Sequence, residues 1–140
     1  MNIAIAGGTG FVGKHVTKAL TERGDSVYIL TRSPNKYKSN QQVSYIGWLH
    51  DDFHPEQHLP KLDAIINLAG DSLFGYWTKA KKDKIYQSRI NATYAIIDLI
   101  RKLSEKPEVL INASAIGYFG TSDTKTFTER SEEQGNDFLL

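Results

Sequence analysis

Apolar residues recur along this chain with two different periods, and these periods predict alternating strands and helices. Short apolar runs predict strands at residues 2–6, 27–31, 43–47, 63–68 and 108–114. Helical spacing predicts long helices at residues 11–23 and about 78–104. The polar segments 32–42 and 48–61 are predicted to be loops, and a short helix is predicted to open at 136–140. Strands that alternate with helices indicate an α/β fold with a parallel sheet.

The apolar pattern also predicts which faces are buried. The runs 63–68 and 109–112 are continuous rather than alternating, as is typical of strands covered on both faces, so Asn112 is expected in a buried strand. Gly24 is expected to end the first helix as a C-terminal cap. The predicted buried face of that helix consists of Phe11, Val12, His15, Val16, Ala19 and Leu20.

The second helix carries one charged residue on an otherwise apolar stripe. The stripe comprises Ile85, Arg89, Ala92, Ile96, Leu99 and Leu103. A charge on a buried face needs a partner. Arg89 is therefore expected either to reach a cleft and contact substrate or a cofactor phosphate, or to form a structural ion pair or extend to solvent. The pattern leaves both interpretations open.

A glycine-rich turn lies between the first predicted strand and the first helix. It reads G-x-G-x-x-G and also G-x-x-G-x-x-G, through the residues Gly7, Gly8, Thr9, Gly10, Phe11, Val12 and Gly13. Glycine permits a tight turn and a close approach of the backbone to a ligand, and the following helix directs its unpaired N–H groups at an anion. In the order strand, turn, helix, strand, this pattern predicts a dinucleotide-binding βαβ unit. The alternative is a glycine turn without a ligand.

The residues that close the second strand indicate which dinucleotide is bound. Thr31, Arg32 and Ser33 stand where an NAD-binding protein carries an acidic residue, and no carboxylate occurs between Asp25 and Asp51. A guanidinium forms forked, charge-assisted hydrogen bonds with phosphate, and the two hydroxyls could add donors. The sequence thus favours NADP(H) over NAD(H), although Arg32 could instead be a solvated loop residue.

Composition removes several other classes of function. Seventeen basic and sixteen acidic residues leave a formal charge of +1, which gives no reason to expect nucleic acid or an anionic membrane as a partner. Cysteine is absent, and neither a signal peptide nor an apolar run of membrane length is present, so a cytoplasmic location is expected. A homodimer is left open. The expected partners are a dinucleotide and an unidentified small-molecule substrate.

Three further clusters have an ordinary and a functional interpretation. A solvated loop is favoured over a metal site for the cluster His50, Asp51, Asp52, His54 and His58, so no metal is expected. A solvated helix face is favoured over an anion contact for Lys79, Lys81, Lys82 and Lys84. Tyr76 and Trp77 either line a substrate pocket or anchor their loop.

Two later motifs give the chain a family resemblance. With the glycine turn and Arg32, the motifs NLAG at 67–70 and NASAIGYFG at 112–120 resemble the extended or atypical short-chain dehydrogenase/reductase superfamily. The motif GYWT at 75–78, followed by Lys82, Ile85 and residues 88–90, is similar to the NAD(P)-dependent epimerase-like family. That family is named after nucleoside-diphosphate-sugar epimerases, and some members are labelled cell-division inhibitors. The resemblance covers nearly all of residues 1–140.

This resemblance implies a Rossmann-type, doubly wound parallel sheet and a role for each matching residue. Gly7, Gly10 and Gly13 would cradle the pyrophosphate, and Arg32 would hold the 2′-phosphate. Ser114 would take the position of the catalytic hydroxyl, beside the nicotinamide. The other cofactor positions would be Leu68, Ala69 and Gly70 on the adenine and ribose side, together with Arg89 and Ala113.

One element of the superfamily pattern is missing. A Tyr-x-x-x-Lys pair normally follows the serine, with the tyrosine as acid or base, yet none of the seven tyrosines has a lysine four residues later, and the expected position falls near Phe138. Residues 1–140 are expected to be the NADP(H)-binding domain of a longer epimerase or oxidoreductase, without its substrate domain and inactive alone. The substrate could be a nucleotide sugar. The alternative is a non-catalytic NADP(H)-binding regulatory or redox-sensing module.

Overall fold

Five parallel strands form one sheet in the computed structural model, which describes residues 1–132 and Gly135. The strands are β1 (Asn2–Ala6), β2 (Ser26–Thr31), β3 (Val43–Gly47), β4 (Ala64–Asn67) and β5 (Val109–Asn112). Their order across the sheet is β3-β2-β1-β4-β5. Every pair of neighbours is parallel, with Ile3 opposite both Val27 and Ala64. This confirms the predicted Rossmann-type, doubly wound sheet.

Two α-helices provide apolar faces for the sheet, α1 (Phe11–Glu22) and α2 (Lys79–Lys102). Alternate residues of β1 enter different cores, because successive side chains of a strand point to opposite faces. Ile3 and Ile5 pack with Val16 and Leu20 of α1, whereas Ala4 belongs to the second core. The α2 residues in that core are Ala92, Ile96 and Leu99, with Leu103 just beyond the helix. These residues confirm the predicted stripe of α2.

Gly24 ends α1 as predicted, and the structure adds a capping residue at the start of α2. Gly24 has a left-handed backbone with φ of +94°, and its N–H donates to the carbonyl of Thr21 at 3.0 Å. The N–H of Asp25 donates to the carbonyl of Leu20 at 3.0 Å, which completes a Schellman cap. Thr78 begins α2, since its hydroxyl accepts from the N–H of Lys81 at 3.2 Å.

The predicted buried face of α1 is wrong in part. Phe11 is 83% exposed, and Val12, His15 and Ala19 are also exposed. The helix packs through Gly13, which is buried against the glycine turn, and successive residues turn by about 100°. Val12 therefore faces away from the packed side, and the side chains on that side are Val16, Thr17 and Leu20.

The prediction that β5 is covered on both faces is also wrong for this chain. Val109 is 45% exposed and Ile111 is 51% exposed, although they belong to one continuous apolar run. Leu110 and Asn112 are exposed as well. An apolar run shows that a strand can be covered, but burial requires a second layer over that strand. Within the described residues, α1 and α2 cover the strands nearer the middle of the sheet.

Short irregular elements complete the described chain. The predicted polar loops contain single 3₁₀ turns at Pro34–Lys36 and Pro55–Gln57, and another lies at Ile116–Phe119. Trp48, directly after β3, is buried in the α2 core. The short helix predicted at 136–140 lies outside the described residues. No helix in the described part of the chain is both long and apolar enough to span a membrane.

A buried carboxylate connects the start of β1 with the end of α1. Asp25 is 4% exposed, and its oxygens accept from the Met1 ammonium at 3.0 Å and from the guanidinium of Arg23. The Arg23 hydrogen bond, followed by the one from the Met1 ammonium, lowers the pKa of Asp25 below its ordinary value of 3.8. The native chain therefore keeps this group ionised at a pH where the unfolded chain protonates it.

We expect Asp25→Asn to lower the free energy of unfolding at neutral pH and to lower it less in acid. A depressed native pKa gives stability that is complete above the unfolded pKa and is lost as the pH falls through the native pKa. Urea unfolding at neutral pH and at successive values below 3.8 measures this difference. The exposed Asp51→Asn is the matched control. A difference between Asp25→Asn and the unmodified chain that stays constant with pH would contradict the assignment.

Candidate functional site

The strand order reverses between β1 and β4, and this is where a crevice opens at the carboxyl edge of the sheet. The chain after β1 leads through the glycine turn to α1, and the sheet then grows outward through β2 and β3. The chain after β4 leads in the other direction, to α2 and then to β5. Ligands of open parallel sheets bind at such a switch point. Most of the sequence-predicted site residues follow the carboxyl ends of β1, β2, β4 and β5.

The glycine turn is packed so closely that side chains would not fit at several positions. Gly7 has φ of +81°, and a Cβ there would lie 2.7 Å from the carbonyl carbon of Leu68. A Cβ on Gly8 would lie 2.9 Å from the Ile29 side chain, and one on Gly13 would lie 2.6 Å from Gly8 Cα. Each of these glycines thus brings backbone against backbone or core. The packing explains the glycines without a ligand, and it also places the turn directly against the end of β4.

The start of α1 has no capping side chain among the described residues. Gly10 precedes the helix with an extended backbone and no capping side chain, and the first turn contains no acidic residue. The first helical hydrogen bond runs from the N–H of Lys14 to the carbonyl of Gly10 at 3.0 Å, so the N–H groups of residues 11–13 precede the helical ladder. Phe11 and Val12 are exposed beside them. This end of the helix is electropositive and suited to an anion.

The loop after β2 presents a cation next to the glycine turn. Arg32 is exposed and has no hydrogen bond or ion pair with any of residues 1–132 or Gly135. Thr31 and Ser33 form a local turn, in which the N–H of Ser33 donates to the Thr31 hydroxyl at 3.2 Å. Because the Thr31 hydroxyl only accepts in this bond, its own proton remains available to a ligand. β1 and β2 are adjacent, so this loop and the glycine turn lie at neighbouring strand ends.

Ser114 lies at the other side of the crevice. The N–H of Ala113 donates to the carbonyl of Asn67 at 2.9 Å, which extends the pairing of β4 and β5 by one residue. Ser114 follows and is exposed. Leu68 continues the pairing with β1, because its N–H donates to the Ala6 carbonyl at 2.9 Å. Residues 68–70 therefore lie between the glycine turn and the loop that carries Ser114.

Arg89 extends from α2 to the loop after β4. Its Nη1 donates to the carbonyls of Asp71 at 3.3 Å and Ile85 at 3.1 Å. A Cβ on Gly70 would lie 2.9 Å from the Arg89 Cζ, so this glycine leaves room for the guanidinium. The structural ion pair considered for Arg89 is not seen among the described residues. The guanidinium is bound by backbone carbonyls at the edge of the crevice, which leaves its cationic charge uncompensated there.

The lysines at the start of α2 are not simply a solvated face, as the sequence suggested. Lys81 Nζ lies 2.7 Å from the Asp71 carboxylate, and Lys84 Nζ lies 4.0 Å from it. The Lys81 hydrogen bond lowers the pKa of Asp71, with smaller contributions from the Lys81 and Lys84 charges. The Asp71 N–H donates to the Ser88 hydroxyl at 2.8 Å. These contacts attach the loop after β4 to α2.

The aromatic loop and the histidine segment take ordinary positions. Tyr76 is exposed, and Trp77 donates from its indole N–H to the carbonyl of Leu73 at 2.8 Å, so Trp77 braces its own loop. His50 lies 3.4 Å from Asp52, and His54 lies 3.4 Å from Glu56. No three His, Cys, Asp or Glu side chains in the described ranges are arranged to hold a metal ion.

Sequence reasoning missed one cavity at the carboxyl end of β3. It has a volume of about 470 Å³ and is lined in part by Pro34, Tyr45, Gly47, Phe53 and His58. A Cβ on Gly47 would lie 2.5 Å from the Phe53 ring, so the ring lies directly on the strand backbone. The segment 48–61 has no periodicity, and it contributes to this cavity only because its residues fold back against β3. Gly47, at the end of the apolar run 43–47, was the sequence feature that could have indicated this cavity.

Comparison with known proteins identifies the relatives of this chain. The family model described as the NAD dependent epimerase/dehydratase family matches residues 3–137. Epimerase family protein YfhF of Bacillus subtilis is 51% identical over 139 residues, which are 99% of this chain and 46% of that protein. Epimerase family protein SSP1921 of Staphylococcus saprophyticus is 41% identical, over 96% of this chain and 44% of that protein. The chain thus spans less than half the length of these relatives.

Solved structures share the fold. The human epimerase family protein SDR39U1 (isoform 2), crystallised with NADPH, superposes with a TM-score of 0.77 at 24% identity, over 99% of this chain and 45% of that one. UDP-glucuronic acid 4-epimerase from Bacillus cereus, in complex with NAD, superposes with a TM-score of 0.70 at 18% identity, over 99% of this chain and 48% of that one. At these identities the similarity establishes the architecture.

We expect Gly13→Ala to destabilise the chain by about 1–3 kcal/mol, because the added methyl overpacks the junction of α1 with the glycine turn. In an open helical position the same change would be stabilising by about 1 kcal/mol, so the sign of the effect tests the packing. Gly10→Ala is the control, because its Cβ would meet only the Gly7 carbonyl, at 3.3 Å. Urea unfolding monitored by circular dichroism measures both. A Gly13→Ala chain at least as stable as the unmodified one would refute the close contact.

Proposed function

Since the chain belongs to the NAD dependent epimerase/dehydratase family, within the short-chain dehydrogenase/reductase superfamily, we propose that it is the NADP(H)-binding domain of an epimerase or oxidoreductase. Residues 1–140 form the nucleotide-binding domain, and the substrate domain belongs to the further length of the relatives. The reaction takes place at a carbinol or ketone carbon. Nucleotide sugars are one candidate class of substrate.

The observation that carries this proposal is that two electropositive groups lie at adjacent strand ends. The uncapped start of α1 follows the turn after β1, and Arg32, which has no partner in the described ranges, follows β2. Neighbouring strands lie about 4.8 Å apart, so these two features can hold a 5′-diphosphate and a 2′-phosphate of one ribose. Both glycine patterns contribute to the first feature, and Thr31 and Ser33 add hydroxyls to the second. NADP(H) fits this pair of charges better than NAD(H) does.

The relatives allow either cofactor. SDR39U1 was crystallised with NADPH, and the Bacillus cereus epimerase with NAD. Which dinucleotide this chain takes is therefore decided by its own loop after β2, where an acidic residue would repel the 2′-phosphate and Arg32 attracts it.

The residues around Ser114 fit the reacting half of the cofactor. A bound nicotinamide would supply hydride transfer at its C4 atom. Ser114 would donate or accept a hydrogen bond at the substrate oxygen and so orient it. Leu68, Ala69 and Gly70 would line the adenine and ribose side of the cleft, and Ala113 would lie beside Ser114. Thr9, Phe11 and Val12 would flank the diphosphate from the glycine turn.

A non-catalytic NADP(H)-binding module is the second candidate. One observation favours it, namely that none of the seven tyrosines in residues 1–140 is followed by a lysine four positions later. The exposed Ser114 at the end of β5 favours the enzyme instead. Transfer of hydride from NADPH to a ketone by the longer protein separates the two, because a binding module would show no oxidation of NADPH above the background rate.

We expect Arg32→Ala to weaken NADPH binding by about 10- to 100-fold, through loss of charge-assisted hydrogen bonds to the 2′-phosphate. NADH binding should change by about twofold or less, because NADH has no 2′-phosphate. Isothermal titration calorimetry with both cofactors measures the two constants. Arg101→Ala on α2 removes the same charge at an exposed site away from the crevice and should leave the preference unchanged. Equal affinity of the unmodified chain for NADPH and NADH would refute the 2′-phosphate assignment.

Arg89 is the other cation proposed to contact the dinucleotide. Arg89→Gln removes the charge at the crevice and keeps an amide donor, but its shorter side chain does not reach both carbonyls that Arg89 Nη1 binds. We expect NADPH affinity to fall about tenfold in a chain that remains folded at the temperature of the titration. A lower melting temperature with unchanged affinity would assign Arg89 to the structural role instead.

A further inference from the structure

We propose that Asn67 and Asn112 form a positioning pair, which fixes the distance between the cofactor-lining end of β4 and the loop that carries Ser114. This inference rests on the proposed function. It assigns a task to the first residue of each of the motifs at 67–70 and 112–120. Neither side chain is proposed to touch the reacting atoms.

The two asparagines meet across the sheet. They are opposite one another in the parallel register of β4 and β5, at the last ladder position of both strands. The Asn67 Nδ2 donates to the Asn112 Oδ1 at 2.7 Å, and Asn67 is only 5% exposed. A side-chain hydrogen bond therefore joins two strands at the point where their backbones begin to diverge toward different loops.

Each asparagine also binds the backbone of the loop that follows it. The Asn67 Oδ1 accepts from the Ala69 N–H at 3.2 Å, and the Asn112 Nδ2 donates to the Ala113 carbonyl at 3.0 Å. A Cβ on Gly7 would lie 2.9 Å from the Ala69 nitrogen, so the same peptide is pressed against the glycine turn. A continuous set of contacts thus runs from the glycine turn through Ala69 and the two amides to Ala113, the residue before Ser114.

Asn67 is buried while Asn112 is exposed, and an apolar side chain at position 67 would serve the core at least as well as an amide. The preceding ladder positions of β4 and β5 are all apolar, and a buried amide is tolerated only where its hydrogen-bonding groups are satisfied. Amide hydrogen bonds are directional, whereas apolar contacts allow the two loops to shift relative to one another. What the pair adds is a defined geometry at the crevice, on top of the backbone bond from Ala113 to Asn67.

The sheet order determines which half of the cofactor depends on this geometry. Arg32 follows β2, on one side of β1, so the adenosine half lies toward β2. The other half must then extend over β4 toward β5, where Ala113 and Ser114 stand. The pair should therefore affect the nicotinamide half and leave the adenosine half unchanged.

The experiment compares two ligands, NADPH and adenosine 2′,5′-bisphosphate, which carries only the adenosine half. Asn112→Leu removes the acceptor for Asn67 with little change in volume, and Asn112→Asp retains an acceptor at the same place. We expect Asn112→Leu to weaken NADPH binding about tenfold and to shift the emission maximum of the bound nicotinamide, with bisphosphate binding changed about twofold or less. Asn112→Asp keeps the acceptor for Asn67 but loses the donor to the Ala113 carbonyl, so it should restore part of the NADPH affinity and part of the shift in emission. Circular dichroism and thermal unfolding report whether each variant remains folded.

The possible outcomes distinguish the inference from the proposed function. Equal weakening of both ligands by Asn112→Leu would show a general structural effect and overturn the positioning role. Unchanged NADPH affinity and emission would overturn it as well, while leaving the proposed function intact. Failure of the unmodified chain to bind either ligand would overturn the proposed function, and this inference with it. Should Asn112→Leu not fold, Asn112→Ala, which removes the same acceptor with a smaller side chain, replaces it with the same expected pattern.

Discussion

The architecture of this protein depends on the close approach of one glycine to one peptide group. Gly7 places its Cα so near the carbonyl group of Leu68 and the nitrogen of Ala69 that any side chain would collide with them. The turn after β1 therefore lies directly on the end of β4, and Gly13 then lets α1 begin against the same turn. A larger residue at Gly7 would force the turn away from the end of β4, and one at Gly13 would force α1 away from the turn.

The same packing produces the electrostatics of the site. Because the turn is tight, α1 begins at the carboxyl edge with its N–H groups directed into the crevice, and the chain supplies neither a capping side chain nor an acid in the first turn. Arg32 and Arg89 approach this region from opposite sides, one after β2 and one from α2. The described region thus combines three electropositive groups at one edge of a chain whose formal charge is only +1.

Several features of the site could be predicted from the local sequence, and others could not. The glycine spacing, the cap at Gly24 and the strand ends at Arg32 and Ser114 depend on residues near one another in sequence, so local rules were sufficient to find them. Arg89 and its partner Asp71 are separated by 18 positions, and Asn67 and Asn112 are separated by 45 positions. Contacts of that kind arise only once the strand order is known, because many pairings fit the same composition.

The sequence by itself determined the periods of the strands and helices, the glycine turn, and the cation after β2 on which the proposed cofactor preference rests, since each follows from backbone sterics or from the chemistry of a single side chain. Tertiary structure decided which faces are covered. Phe11 and Val12 fit a helical stripe yet are exposed, because the contact of Gly13 with the turn sets the rotation of α1. Val109 and Ile111 fit a buried strand yet are exposed, because burial depends on what packs over a strand and not on the strand alone.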